Sequence, residues 1–171
     1  MPFQKLSILI PCFNEENLIV SVLENIIKTD CGLEKEIIIV NDCSSDNTTG
    51  LINSFIKLYP DYLIKLLHHK ENRGKGACIQ TALAEVTGEV TIIQDADLEY
   101  NPSEYAKMLQ PIADGFADVV YGSRFRGSEA HRVLFFFHTL GNKLLTFLSN
   151  LLTGINLTDM ETGYKMFRTE I

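Results

Sequence analysis

The chain has 171 residues, enough for one domain with a sizeable core. Apolar residues make up 46% and charged residues 22%, as in an ordinary globular protein, and the net charge of −7 excludes a chain built chiefly to grip nucleic acid by its phosphates. Cys12, Cys31, Cys43 and Cys78 form no Cys-x-x-Cys pair, which argues against zinc or a redox dithiol and fits reduced thiols in a cytoplasmic protein.

Leu6-Ser7-Ile8-Leu9-Ile10 reads as a buried strand, too short before Asn14-Glu15-Glu16 to be a signal peptide. Leu18, Val22, Ile26 and Ile27 recur at helical spacing, with Asn14 as a candidate cap. Glu36-Ile37-Ile38-Ile39-Val40 is a second strand, followed by a helix carrying Leu51, Phe55 and Leu58. A weaker third strand covers 62–67, and a helix over 77–86 follows a glycine-rich turn and stops at Gly88. Val90-Thr91-Ile92-Ile93 is a fourth strand. Asn101-Pro102-Ser103 suits the start of a helix over 105–113, and Asp118-Val119-Val120-Tyr121 is a fifth strand. Leu134, Phe137, Leu140, Leu144, Phe147 or Leu148, and Leu151 then recur at helical spacing. This stripe faces either the core or a membrane surface and lipid path. The apolar run is interrupted by His138, Asn142, Lys143 and Asn150, short of the roughly 20 apolar residues that span a bilayer. Alternating strands and helices give an α/β chain with a mostly parallel sheet.

Ligands of such sheets bind beyond the carboxyl ends of the strands. Polar residues collect there. Pro11-Cys12-Phe13-Asn14-Glu15 follows the first strand and Asn41-Asp42-Cys43-Ser44-Ser45-Asp46 the second. Asn72-Arg73-Gly74-Lys75-Gly76 follows the third, Asp95-Ala96-Asp97-Leu98-Glu99 the fourth and Gly122-Ser123-Arg124 the fifth. Asp95, Asp97 and Glu99, two apart in extended chain, would share one side and repel one another unless a cation joins them; hard oxygens suit Mg²⁺ or Mn²⁺. Asp42 is placed to accept from a ribose hydroxyl or a base N–H, with Ser45 or Asp46 capping the next helix. Gly74, Lys75 and a helix N-terminus suit an anion, although the spacing is not that of a Walker loop. Arg124, Arg126, His131 and Arg132 form a basic cluster fit for a phosphate. His68 and His69 carry no metal spacing and read as structural.

Together these segments, with Asp159-Met160-Glu161-Thr162-Gly163-Tyr164-Lys165, resemble the family 2 glycosyltransferases, and within them the dolichol-phosphate and polyprenol-phosphate sugar synthases. The resemblance implies a single GT-A domain over 1–171, with relatives continuing past its end. It implies a metal-dependent, inverting hexosyltransferase that takes a UDP- or GDP-linked sugar, uses Mg²⁺ or Mn²⁺, and delivers to a polyprenyl phosphate. Residues matching Pro11, Asn14, Glu15, Asp42, Lys75, Asp95, Ala96, Asp97 and Lys165 would hold the nucleotide-sugar. Pro11, Glu15 and Asp42 would lie at the base and ribose, and Asp95, Asp97 and Glu99 would serve the metal. Arg124, Arg126 and Arg132 would face the acceptor phosphate, and Asp97 and Arg124 are the expected catalytic residues. Asn41-Asp42 stands where relatives often have Asp-Asp, and Glu99 where they often have Gln. A cytoplasmic chain, peripheral on a membrane and able to form a homo-oligomer, fits this picture. Two other readings stay open: transfer to a glycan hydroxyl with Asp159 or Glu161 as base, and a nucleotide-sugar-binding module without turnover.

Overall fold

The structure is a computed structural model that describes residues 3–123 and 136–171. Strand β1 (Lys5–Cys12) leads to α1 (Ile19–Lys28), β2 (Glu34–Asn41) to α2 (Thr48–Leu58), and β3 (Leu63–His68) to α3 (Lys75–Leu83). Strand β4 (Val90–Ile93) is followed by a 3₁₀ turn (Pro102–Glu104) running into α4 (Tyr105–Ala113), then β5 (Val119–Tyr121), α5 (Phe136–Thr153) and β6 (Lys165–Arg168). The six strands form one sheet in the order β3-β2-β1-β4-β6-β5. Strands β1 to β4 pair in parallel, and β6 lies antiparallel between β4 and β5.

The continuous apolar runs form central strands because both faces are covered. On one face Leu6, Ile8, Ile10, Ile37 and Ile39 pack against Ile19, Val22, Leu23 and Ile26 of α1, Ile52 and Phe55 of α2, and α4. On the other, Leu9, Ile38 and Val40 pack against Cys78 and Ala82 of α3. The expected stripes are slightly rotated: Ile19, not Leu18, begins the buried face of α1, and Leu58 is exposed. Asn101 behaves as expected, its Oδ1 accepting from Ser103 N–H at 3.0 Å.

Strand β6 has no counterpart in the hydrophobic pattern of the sequence. Its four residues bring only Met166 to full burial, so it carries too short an alternation to read as a strand. The core-facing reading of α5 is overturned for its described side chains. Leu140, Leu144, Leu148 and Leu151 are exposed, whereas Asn142 and Thr146 are buried. The physical reason is the segment beneath the helix, which offers polar groups. Asn142 Nδ2 donates to Asp159 Oδ1 at 2.8 Å, and Thr146 Oγ1 donates to Asn142 Oδ1 at 3.0 Å. Asn150 exchanges two hydrogen bonds with the Leu157 backbone. Buried polar groups must be paired, so the helix turns its polar stripe inward.

Glu36, on β2, is fully buried. It accepts from Ser7 Oγ at 2.7 Å, Thr87 N–H at 2.9 Å and Thr87 Oγ1 at 3.0 Å, with Lys65 Nζ at 3.5 Å. Burial pushes its carboxyl up, but these partners outweigh it and hold the group below the usual range. Because the folded pKa is depressed, this stability is present above the unfolded value and is lost as pH falls through the folded one. Glu36→Ala is expected to cost about 3 kcal/mol in urea denaturation at neutral pH. The gap from wild type should begin to narrow once pH falls to the ordinary carboxylate range, about pH 4, and go on narrowing below it.

Candidate active site

The sheet order reverses between β1 and β4, and a cleft of about 260 Å³ opens at the carboxyl ends of the strands there. It is lined by Pro11, Cys12, Phe13 and Glu15 after β1, Asp42 after β2, Lys75 and Cys78 of α3, and Asp95, Ala96 and Asp97 after β4. Seven of the expected site residues therefore meet in one place: Pro11, Glu15, Asp42, Lys75, Asp95, Ala96 and Asp97.

The first two loops are laced together. Asn14, at φ 55°, takes the left-handed conformation that Asn tolerates. Its Oδ1 accepts from Ser45 N–H at 2.8 Å, and its own N–H donates to Ser44 Oγ at 2.9 Å. Asn14 is thus a loop brace rather than the cap of α1, and it is not among the residues lining the cleft. Asp46 Oδ1 accepts from Thr48 N–H at 3.0 Å, serving the start of α2 as expected.

Asp42 is buried and tied to the loop before α3. Its Oδ1 accepts from Arg73 N–H at 2.9 Å and from His69 Nδ1 at 2.6 Å, and its Oδ2 accepts from Gly74 N–H at 2.7 Å. Burial pushes its carboxyl up, but these donors prevail and hold it below the usual range. Gly74, at φ 83°, provides the turn that aims its amide at Asp42. His69 is therefore more than the structural residue expected. The register of the structure brings it there: parallel β2 and β3 pair Asn41 with His68, which puts the next residues, Asp42 and His69, side by side. Asp42, His69 and Cys78 bring possible ligand atoms within 4.8 Å of one another. Burial and then the charge of Asp42 push the Cys78 thiol up to about 11, so it stays protonated and the cluster is held by hydrogen bonds.

Lys75 Nζ sits 2.6 Å from Asp95 Oδ1 and 2.8 Å from Oδ2, which neutralises that carboxylate. Asp97 is exposed, with Oδ1 accepting from Glu99 N–H at 3.0 Å. Burial pushes the Glu15 carboxyl up, aided by the charges of Asp97, Asp46 and Asp95. Carboxylates crowded around one cleft, with the one cation among the described lining residues already paired, are the donor set a hard divalent ion fits. The extended alternation behind the three-carboxylate expectation ends with β4 at Ile93. A turn follows, with Leu98 at φ 61°, and Glu99 is not among the cleft-lining residues. Lys165 lies on β6 opposite Ile93 and Tyr121, its Nζ 4.9 Å from the centre of the Tyr121 ring. Burial and the nearby charge of Lys75 push its amine down. Arg124, Arg126 and Arg132 lie outside the described residues.

Gly163 lies against the Asp95–Lys75 pair. A Cβ there would lie 2.4 Å from Asp95 Oδ2 and 3.1 Å from Lys75 Nζ. Gly163 N–H also donates to Tyr100 Oη at 2.9 Å, which fixes the backbone against the pair. Gly163→Ala is expected to push the Asp95–Lys75 pair aside and weaken nucleotide binding about tenfold. Calorimetric titration against thermal melting would check this, since the melting temperature should barely move.

A mostly parallel sheet with an acid-rich cleft at its switch point, lined by Asp95-Ala96-Asp97, has the GT-A fold of glycosyltransferases. The chain belongs to glycosyl transferase family 2, whose family model matches residues 7–171. It is 28% identical to a UDP-N-acetylglucosamine–dolichyl-phosphate N-acetylglucosaminyltransferase of Methanococcus voltae, over 94% of this chain and 68% of that one. It is 32% identical to a dolichyl-phosphate beta-glucosyltransferase of Trichomonas vaginalis, over 96% of this chain and 53% of the relative. Among solved structures, a mannosyltransferase of Pyrobaculum calidifontis in complex with GDP-Man and Mn²⁺ superposes with a TM-score of 0.65 at 29% identity, over 72% of this chain and 36% of that one. Glucosyl-3-phosphoglycerate synthase of Mycobacterium tuberculosis, in complex with Mn²⁺, UDP and phosphoglyceric acid, gives 0.73 at 20% identity, over 98% and 56%, and supports the fold alone.

Proposed function

We propose that this chain transfers a hexose from a nucleotide-sugar to a polyprenyl phosphate, with inversion at the anomeric carbon. The observation that carries the reading is the convergence of Asp42, Lys75, Asp95 and Asp97 on one cleft. It is supported by relatives named for dolichyl-phosphate acceptors. Asp42 takes an N–H or hydroxyl of the nucleoside. Lys75 and the N-terminus of α3 offer positive charge to the diphosphate. Asp97 is the carboxylate that would hold a divalent cation, while Asp95 is restrained by Lys75. A bound Mg²⁺ or Mn²⁺ supplies charge that neutralises the departing nucleoside diphosphate. Arg124, Arg126 and Arg132 are assigned to the acceptor phosphate. An acceptor oxygen forms the new bond to the anomeric carbon as the bond from that carbon to the diphosphate oxygen breaks, and the leaving group keeps the electron pair. A phosphate is ionised near neutrality, so no general base is needed. Of the two bases a hydroxyl acceptor would call for, Asp159 is 1% exposed and accepts from Asn142, which counts against it, whereas Glu161 is exposed.

The outer face of α5 fits a place at an anionic membrane surface. Leu144 is 57% and Leu151 68% exposed, and the helix contains no Asp or Glu. The sequence just before it carries Arg124, Arg126, His131 and Arg132. Among the described residues no helix is long and apolar enough to cross a membrane, so the contact would be interfacial. Leu144→Gln with Leu151→Gln is expected to reduce flotation with phosphatidylserine-containing liposomes about tenfold while leaving circular dichroism unchanged.

The test of the reaction is incubation with labelled UDP-glucose, UDP-N-acetylglucosamine or GDP-mannose, Mn²⁺ or Mg²⁺, and either a short polyprenyl phosphate or an oligosaccharide. Label is expected in the lipid phosphate. Label confined to the oligosaccharide, or donor binding with no transfer to either, would overturn the proposal.

A further inference from the structure

We propose that His69 is a positioning residue that saturates one oxygen of Asp42 and thereby selects a uridine diphosphate donor over a guanosine diphosphate one. The inference rests on the nucleotide-sugar reading of the cleft and specifies its base.

An ionised carboxylate offers about four acceptor positions, two on each oxygen. At Asp42, Oδ1 already takes Arg73 N–H and His69 Nδ1, at 2.9 and 2.6 Å. Oδ2 takes Gly74 N–H at 2.7 Å. A carboxylate with a depressed pKa only accepts, so His69 presents its Nδ1 proton to Asp42. The other ring nitrogen lies 2.9 Å from Thr81 Oγ1 on α3. The imidazole is thus fixed at both ends, between the ends of β2 and β3 and the helix. The Cys78 thiol also reaches Asp42 but is a weak donor that an amide-type N–H displaces. One strong acceptor position is left on a carboxylate that lines the cleft, and it belongs to Oδ2.

That single position matches uracil, whose edge carries one N–H between two carbonyls. Guanine carries two adjacent donors, an imino N–H and an exocyclic amine, and pairs best with both oxygens of a carboxylate. Here Oδ1 has no acceptor position to spare, so one guanine donor would enter the cleft unpaired. The three donors on Asp42 are therefore a specificity device as well as a brace.

The experiment is calorimetric titration of the 171-residue chain with UDP and with GDP, each with Mn²⁺. UDP is expected to bind about tenfold more tightly or better. His69→Ala should lower UDP affinity about tenfold and bring the UDP-to-GDP ratio toward one, because Oδ1 is then freed for a second donor. His69→Asn, whose amide N–H can stand where Nδ1 does, should keep the wild-type ratio. Thermal melting of each apo variant separates loss of fold from loss of selectivity. Should His69→Ala unfold, Thr81→Ala, which loosens only the far side of the ring, is expected to narrow the ratio a few-fold. A wild-type chain that binds GDP as tightly as UDP would overturn the inference. So would an unchanged ratio in folded His69→Ala, or in Thr81→Ala where it replaces that variant. Binding of both diphosphates with equal strength leaves the nucleotide-sugar reading standing, whereas binding of neither removes both.

Discussion

Asp97→Ala is expected to lower sugar transfer at least about 100-fold and to remove the metal dependence of nucleotide binding, without destabilising the fold. Three observations give this size and this selectivity. Asp95, the other acid of the tripeptide, is held by Lys75 at 2.6 Å and is poorly free to serve a second cation. The Glu15 carboxyl is pushed up by burial and by the charges of its acidic neighbours. Asp97 is exposed at the cleft, and its Oδ2 has no partner among the described residues. Its removal also relieves repulsion on Glu15, so the apo protein should melt at the same temperature or slightly higher. Asp95→Ala should be milder in metal dependence, since its lost partner is Lys75. Turnover measured across a Mn²⁺ titration, with melting curves on the same samples, checks both halves.

Asp42→Ala is expected to fail in the opposite way, losing affinity and stability together. The carboxylate collects Arg73 N–H, Gly74 N–H and His69 Nδ1, and all of them lose their acceptor when it is truncated. Leaving buried donors unpaired should cost about 2–4 kcal/mol in urea denaturation. The loop that delivers Lys75 to Asp95 would loosen with it, so UDP affinity should fall about 100-fold even at saturating Mn²⁺. Excess metal would not rescue Asp42→Ala. That separates a residue that shapes the nucleoside end of the cleft from one that serves the cation.

Much of this cleft is legible in the sequence because two simple rules coincide. Runs such as Ile37-Ile38-Ile39-Val40 are long and β-branched enough to mark central strands, and in a parallel sheet whatever follows each strand lands on one edge. Pro11, Asp42, Lys75, Asp95 and Asp97 are found by that rule. What escapes it depends on tertiary partners. His69 gains its role from the register of β2 with β3, which no periodicity displays. Glu99 leaves the expected row because the backbone turns at Leu98, and a left-handed leucine is not foreseeable from an Asp-x-Asp pattern. The inward face of α5 follows Asp159 and the Leu157 backbone rather than the leucine stripe, so helical spacing alone pointed both ways. Met166 gives β6 too little signal to be seen before its neighbours are known.

The most direct test of the central claim is thermal unfolding of the wild-type chain and of Asp97→Ala with UDP, once with Mn²⁺ and once with EDTA. A ligand that binds only the folded state raises the midpoint in proportion to its site occupancy. The cleft described here predicts a clear rise, about 4 °C or more, for wild type with UDP and Mn²⁺ together, and none with EDTA or in Asp97→Ala. Equal stabilisation by UDP in EDTA, or full stabilisation of Asp97→Ala, would contradict a metal-assisted nucleotide site at Asp95-Ala96-Asp97.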